Sequence, residues 1–336
     1  MQAIQLQAAH QPVSLQEVPT PRPQPGEVLV KLHAAALNHR DVWIQKGQYG
    51  GMRLPSILGA DGAGTVAGHG PEVALDAPAV GAKVLLYPAL DWGDNPRAQG
   101  KTFRVLGMPD DGTFAEYIAL PARYVQPLPA HLSFEQGAAL PLAGLTAYRA
   151  AFVRAQVQPG ERVLITGIGG GVALLAAQLC MAAGAEVWVT SGSAGKLARA
   201  RELGVRGGIS YKEENWAATL VKQAGGSFDV IIDSAAGPAF NALLEAAAPG
   251  GRIVFYGGTL GAIPQLPPAR VFWKQLSILG STMGTEQDFA GMLALVEQHQ
   301  IVPVVDEVFP LSETEAALRK LEKSEQFGKI VLRIGA

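Results

Sequence analysis

Cysteine is nearly absent. The 336 residues contain one, Cys180, which excludes an intrachain disulfide and any site built on several thiolates. Charge is also sparse: 17% of residues are charged and the formal net charge is -2. No broad basic surface is available for a phosphate backbone or an anionic lipid face, so neither nucleic acid nor a membrane is an expected partner. No apolar run reaches the roughly 18 residues of a spanning helix. The opening MQAIQLQAAHQP lacks the basic stretch and apolar core of a secretory signal, and a cytoplasmic protein is expected. Apolar residues, by contrast, make up 48% of the chain, enough at this length for two domains with a core each.

The chain changes character along its length. Pro12, Pro19, Pro21, Pro23 and Pro25 interrupt short apolar stretches before the alternating run 27–32, a pattern of strands and turns. From about 59 to 124 glycines and short β-branched runs continue without a helical period, and 90–104 has no period at all and reads as an exposed loop. At Ser133, with Gln136 three residues on, a capping box announces a helix. Buried strands then alternate with helices: strands at 162–166, 186–190, 228–233 and 252–256, helices at 172–183, 196–203 and 239–248. That alternation predicts an α/β fold with a doubly wound parallel sheet. The tail reads as helix 287–299, extended 304–309, helix 313–324 and a closing strand 329–334 that rejoins the first domain.

Chemistry enters at ERVLITGIGGGVALLAAQL (161–179), where a strand runs into four glycines within 167–171 and then into a helix. Gly167 suits a tight turn, Gly170 and Gly171 admit the close approach of a pyrophosphate, and Ala173 lets the helix pack on the strand. The helix N-terminus offers N–H groups and a positive dipole end to phosphate. Strand, glycines and helix in this order predict a dinucleotide site. A bare connection would not need the backbone entropy that four glycines cost.

At this point the chain resembles the medium-chain dehydrogenase/reductase superfamily. The marks are PGEVLVKLHAAALNHRD (25–41), PSILGADGAGTV (55–66), GTFAEY (112–117), LPLAGLTAY (140–148), the glycine turn, FDVIIDSAAG (228–237), GGRIVFYGG (250–258) and FGKIVL (327–332). The resemblance implies a Rossmann cofactor domain, 125–266, and a GroES-like β-rich catalytic domain from both chain ends, 1–124 and 267–336. Many members hold a catalytic zinc through a Cys, a His-Glu pair and a further Cys or Asp. Here those places carry Asn38, Ala60 with Asp61, and Leu142, and the loop 90–104 has no cysteine for a structural zinc. Asp41 and Asp61 are possible metal donors, but His39 and His69 match no ligand place. The resemblance is therefore to the zinc-free quinone oxidoreductase or enoyl-reductase branch, with no metal.

In that branch the segment with Asn38 and Tyr49 faces the nicotinamide, which makes these two the candidate catalytic donors; a packing role for Tyr49 is the competing reading. Cofactor binding is assigned to Thr146, Gly167, Gly169, Gly170, Gly171, Val172, Ser191, Ser193, Lys196, Tyr211 and Gly257. Thr146 equally suits a helix-interior threonine bonded to a preceding carbonyl. Asp233 equally suits a cap on the next turn. Arg40 and His39 either reach the pyrophosphate or lie on a surface loop, and Cys180 reads as a small core residue. An NAD site places a carboxylate about 20 residues past the glycines; here stand Ser191, Gly192 and Ser193. Lys196 resembles a lysine that pairs with the 2′-phosphate and Tyr211 a tyrosine that lies against it, so NADP is the expected cofactor. A small-molecule substrate follows, a quinone or an α,β-unsaturated carbonyl compound. The alternatives are a zinc-free alcohol dehydrogenase and a nucleotide-binding protein without turnover. By family analogy a homodimer is expected, formed through a sheet edge supplied by 252–256 with 271–279.

Overall fold

The alternation that opens the chain becomes the strand Glu27–Ala36, whose Val28, Val30, Leu32 and Ala34 are buried. In the computed structural model, which describes residues 1–335, this strand organises a seven-stranded sheet. It pairs antiparallel with Asp61–His69, Tyr117–Pro121 and Lys329–Arg333. Lys83–Leu86 and Val125–Pro127 extend the sheet on one side, and Val305–Pro310, parallel to Lys329–Arg333, closes it on the other. Two register shifts between Glu27–Ala36 and Asp61–His69 bend the pair, as bulges do. These elements belong to one compact unit, Met1–Ala143 with the chain from Gly284 onward. It is the GroES-like domain, and the last strand rejoins it as the sequence implies.

The register places the chemistry. Ala36 lies opposite both Asp61 and Val331, and the N–H of Leu37 donates to the Ile330 carbonyl at 3.0 Å. Asn38, Asp61 and Lys329 are thus brought side by side by backbone pairing. From Asn38 the chain turns into a helix, His39–Gln45. No periodicity in the sequence marks this helix.

The second unit, Gly144–Met283, is a six-stranded parallel sheet. Its order is Gly207–Ser210, Glu186–Ser191, Arg162–Ile165, Phe228–Asp233, Ala247–Phe255 and Ser277–Gly280. The chain starts in the middle, winds outward one way and then the other, which is the Rossmann arrangement. The helix Gly171–Ala182 is apolar nearly all round and buries Leu174, Leu175, Leu179 and Cys180. Leu164, Trp188, Phe228, Ile231, Phe240 and Leu244 form part of one core cluster, each contributing about 1.5–3 kcal/mol by burial.

Within this unit three elements differ from expectation. Gly207–Ser210 is a strand without a β-branched run because a Cβ on Gly207 would overlap the Trp188 ring. The helix Trp216–Gln223 starts at Asn215, a residue type favoured at helix starts, which here takes a left-handed conformation and makes no side-chain cap bond. Ser277–Gly280 pairs with Arg252–Phe255 and so belongs to the parallel sheet. The expected joins at 124/125 and 266/267 both lie upstream of the observed ones. The helix Phe134–Ala138, begun by the Ser133–Gln136 capping box, packs on Glu27–Ala36, while Ser277–Gly280 completes the Rossmann sheet.

Candidate active site

After Arg162–Ile165 the chain makes its turn with Gly167 at φ +67° and Gly169 at φ +131°, conformations that a side chain disfavours. Ile168 N–H donates to the Thr190 carbonyl at 2.8 Å, which ties the turn to the next strand. Gly170 caps the helix Gly171–Ala182 without a side chain, and a Cβ there would meet open space. The helix's first residues, Gly171 and Val172, are half-buried. Two more turns close on the first: a Cβ on Gly167 would stand 3.2 Å from Ser234 Oγ, and one on Gly257 2.6 Å from the Ser234 carbonyl oxygen. The turns after three parallel strands therefore meet at the carboxyl ends of those strands, where open α/β sheets bind ligands.

The end of Glu186–Ser191 carries the second group. Ser191 is buried and its Oγ accepts from the Ser193 N–H at 3.2 Å; Ser193 caps Ala194–Glu202 by accepting from the Lys196 N–H at 3.4 Å. Both hydroxyls accept backbone bonds, which leaves their hydrogens to donate. The Lys196 side chain lies across Gly169, where a Cβ would stand 2.8 Å from its Cδ and 3.3 Å from Nζ. Tyr211, 49% exposed, brings its hydroxyl within 2.6 Å of where a Gly192 Cβ would be, and Lys212 Cε lies 3.0 Å from the same point. Gly169 with Lys196, and Gly192 with Tyr211 and Lys212, are thus close neighbours. Lys212 escaped the sequence reading, because a lysine in YKEE reads as one solvated charge among others.

Other assignments change with their surroundings. Asp233 Oδ1 accepts from Thr166 Oγ1 at 2.6 Å and Oδ2 from the N–H groups of Ala235 and Ala236, the cap reading. Thr146 is buried in the helix Pro141–Tyr148 with its Oγ1 3.9 Å from Met283 Sδ. Arg40 is not on a surface loop. It is buried and donates to the carbonyls of Leu106 at 2.6 Å and Met108 at 3.1 Å. Burial pushes the Cys180 thiol up to about 12, so it stays protonated and serves as core.

In the first unit Asn38 and Tyr49 belong to separate hydrogen-bond systems. Tyr49 accepts at its hydroxyl oxygen from Arg40 Nε at 3.3 Å, beneath the same guanidinium. Asn38 Nδ2 donates to Asp61 Oδ2 at 2.9 Å, and Asn38 Oδ1 accepts from Lys329 Nζ at 2.7 Å. Lys329 Nζ also donates to Asp61 Oδ2 at 2.9 Å, and the Leu142 N–H to Asp61 Oδ1 at 2.7 Å. Both ions are buried, Asp61 completely. Beside them Asp41 Oδ2 accepts from the Asn38 N–H at 2.8 Å, and burial, offset by Arg40 and other charges, raises its carboxyl to about 6. Lys329 was quoted above only as part of FGKIVL; its partners lie 268 and 291 positions away, a distance no local pattern signals.

A Rossmann unit with this turn and a GroES-like unit carrying a buried polar cluster define the class: an oxidoreductase that takes a nicotinamide cofactor. The chain belongs to the medium-chain dehydrogenase/reductase superfamily. Residues 24–130 match the alcohol dehydrogenase GroES-like domain, and residues 171–298 the family described as zinc-binding dehydrogenase. Among relatives, a zinc-type alcohol dehydrogenase-like protein YogA of Leptosphaeria maculans is 34% identical over 96% of this chain and 95% of its own. A quinone oxidoreductase of Rattus norvegicus is 31% identical over 94% and 92%. The crystal structure of an NAD-dependent alcohol dehydrogenase superposes with a TM-score of 0.93 at 38% identity, covering 100% of both chains.

Proposed function

We propose that the protein is an NADPH-dependent reductase of quinones or α,β-unsaturated carbonyl compounds that works without zinc. The observation that carries this reading is the buried cluster of Lys329, Asp61 and Asn38. Of the four places that hold zinc in metal-dependent relatives, Ala60 and Leu142 have aliphatic side chains. Asn38 and Asp61 are bonded to each other and to an ammonium group, so a dication brought there would meet like charge. Among the described residues no group of three or more His, Cys, Asp or Glu is disposed to hold a metal ion. The donor set does not fit zinc.

That absence of fit supports one substrate class. When bound, the nicotinamide supplies a hydride. The charge that then grows on the substrate oxygen must be met by hydrogen-bond donors, and a conjugated acceptor spreads that charge so that neutral donors suffice. Asn38 supplies its second amide hydrogen. Tyr49 supplies its hydroxyl hydrogen, strengthened because Arg40 donates to the same oxygen. For the choice of cofactor, support comes from Ser191, Gly192 and Ser193 standing where an NAD site has a carboxylate, and from Lys196, Tyr211 and Lys212 gathered beside them. The edge strand Ser277–Gly280, with Phe272 and Trp273 exposed just before it, supports a homodimer. No described helix is long and apolar enough to cross a membrane, and the proposed setting is the cytoplasm.

The test is a panel assay with both nicotinamides, paired with elemental analysis. Oxidation of NADPH by an enone or a quinone, unaffected by a chelator and with no stoichiometric zinc, is the expected result. Turnover of simple alcohols without any activity on quinones or enones, or one zinc per chain required for turnover, would overturn it.

A further inference from the structure

We propose that Lys329 is a positioning residue: its buried ammonium locks and polarises the Asn38 amide so that the remaining Nδ2 hydrogen is presented to the substrate oxygen. This rests on the reading of Asn38 as a donor given above. A lysine ammonium carries donors only, so the Asn38 atom that faces it at 2.7 Å is the carbonyl oxygen, and Nδ2 faces Asp61 at 2.9 Å. Flipping the amide would set N–H against ammonium and oxygen against carboxylate, two repulsive contacts in place of two attractive ones. The orientation is therefore fixed by charge.

Asp61 holds the other end. Its Oδ1 accepts from the Leu142 N–H, its Oδ2 from Asn38 and Lys329, and its backbone carbonyl from Thr113 Oγ1 at 2.7 Å. Among the described residues the second hydrogen of Asn38 Nδ2 has no acceptor. The ammonium on the amide oxygen draws electron density from the nitrogen, which makes that hydrogen a stronger donor. The frame is equally rigid, since the Leu37 N–H bonds the Ile330 carbonyl and so fixes the residues next to Asn38 and Lys329 in one sheet register. A buried ion pair is a poor device for stability, because an apolar pair of the same size serves as well or better. Its presence here is accounted for by what it does to Asn38. No bond is made or broken at Lys329.

A double-mutant cycle with an activity-independent arm tests this. The variants are K329M, K329R, N38A and the combination of K329M with N38A. D61N/K329M is added because K329M alone leaves Asp61 buried without its cation and can fail to fold. The first readout is the NMR resonance pair of the Asn38 side-chain amide, assigned by its loss in N38A. It is expected to move to the position of an ordinary asparagine in K329M or D61N/K329M and to stay in place in K329R. The second readout is kinetic, on whichever substrate class turns over. K329M should lower kcat at least tenfold with NADPH affinity unchanged, K329R should restore most of it, and in the N38A background the K329M effect should shrink below twofold. An unmoved amide resonance, or losses that multiply in the double variant, would overturn the proposal. If the resonance moves but no quinone or enone is reduced by the unmutated protein, the positioning of Asn38 stands and the reductase reading fails.

Discussion

Lys196 lies across Gly169, after the strand Arg162–Ile165, and Lys212 lies against Gly192, after the neighbouring strand Glu186–Ser191. A charge-assisted contact to phosphate contributes about 1.5–3 kcal/mol. Lys196→Ala is therefore expected to weaken NADPH roughly tenfold or more and leave NADH nearly unchanged, with Lys212→Ala giving a smaller loss of the same selectivity. Titration of both cofactors into each variant checks this, and equal losses for NADH and NADPH would refute it. The glycine turn is readable from strand, glycines and helix in order, whereas Lys196 and Tyr211 are candidates only through the family resemblance. Lys329 was not legible as a member of the site, because its partnership with Asn38 and Asp61 exists only after the sheet has paired.

Asp41 makes a prediction of a different kind. Burial raises its carboxyl to about 6 from an ordinary value near 3.8, against the pull of Arg40 and Lys329, while Asp61 raises it further. A group that is harder to ionise when folded makes the folded state less stable as pH rises, here between about 4 and 6, and the cost is constant above that window. Asp41→Asn should flatten the pH dependence of stability across this range by up to about 3 kcal/mol. Denaturant unfolding at pH 4, 5, 6 and 7 measures it; a slope identical to that of the unmutated protein would show that Asp41 titrates normally.

Among the elements, the long parallel-sheet strands and their helices were readable from period alone, with ends one or two residues off except that Ala247–Phe255 begins five residues before the expected 252. The loop after Ala89–Leu90 was readable as irregular, but not what anchors it. Asp91 accepts from Arg104 Nη2 at 2.6 Å, from Arg123 Nη2 at 2.9 Å and from the Tyr124 hydroxyl at 2.9 Å, and Arg104 also pairs with Asp110. The hydrogen bond from Arg104 leads the influences that hold the Asp91 carboxyl below its ordinary value. This ion-pair knot ties a segment that bears a structural zinc in some relatives. Asp91→Asn keeps the residue type that tolerates its left-handed φ of +52° but removes the charge. It should cost about 1 kcal/mol, since the group is partly screened by solvent, and hasten proteolytic cleavage within 91–104. Limited proteolysis at neutral pH is the direct measurement, and an unchanged cleavage rate would show that the knot does not anchor the loop.

At the scale of the whole chain, periodicity marks a central stretch of alternating strands and helices, flanked in the sequence by two strand-rich stretches that the resemblance assigns to one domain. The exact joins depended on a short helix and a short strand whose allegiance is decided by packing. The edge strand Ser277–Gly280 leaves one side of a six-stranded sheet unpaired, and Phe272 and Trp273 stand 60% and 80% exposed beside it. If these cover the edge in a second copy of the chain, Trp273→Glu should shift the protein from dimer to monomer mass in light scattering. A monomer mass for the unmutated protein would end the proposal.

The distance of 291 positions between Asn38 and Lys329 has a consequence for how the enzyme comes into being. During synthesis the early strands emerge first, followed by the entire Rossmann unit, while Asp61 waits without its counter-ion. A nascent chain of three hundred residues already contains the glycine turn and every residue beside it, yet has no ammonium to orient its amide. On the proposed role of Lys329, that amide is oriented only once the strand Lys329–Arg333 has been made and has paired with Glu27–Ala36.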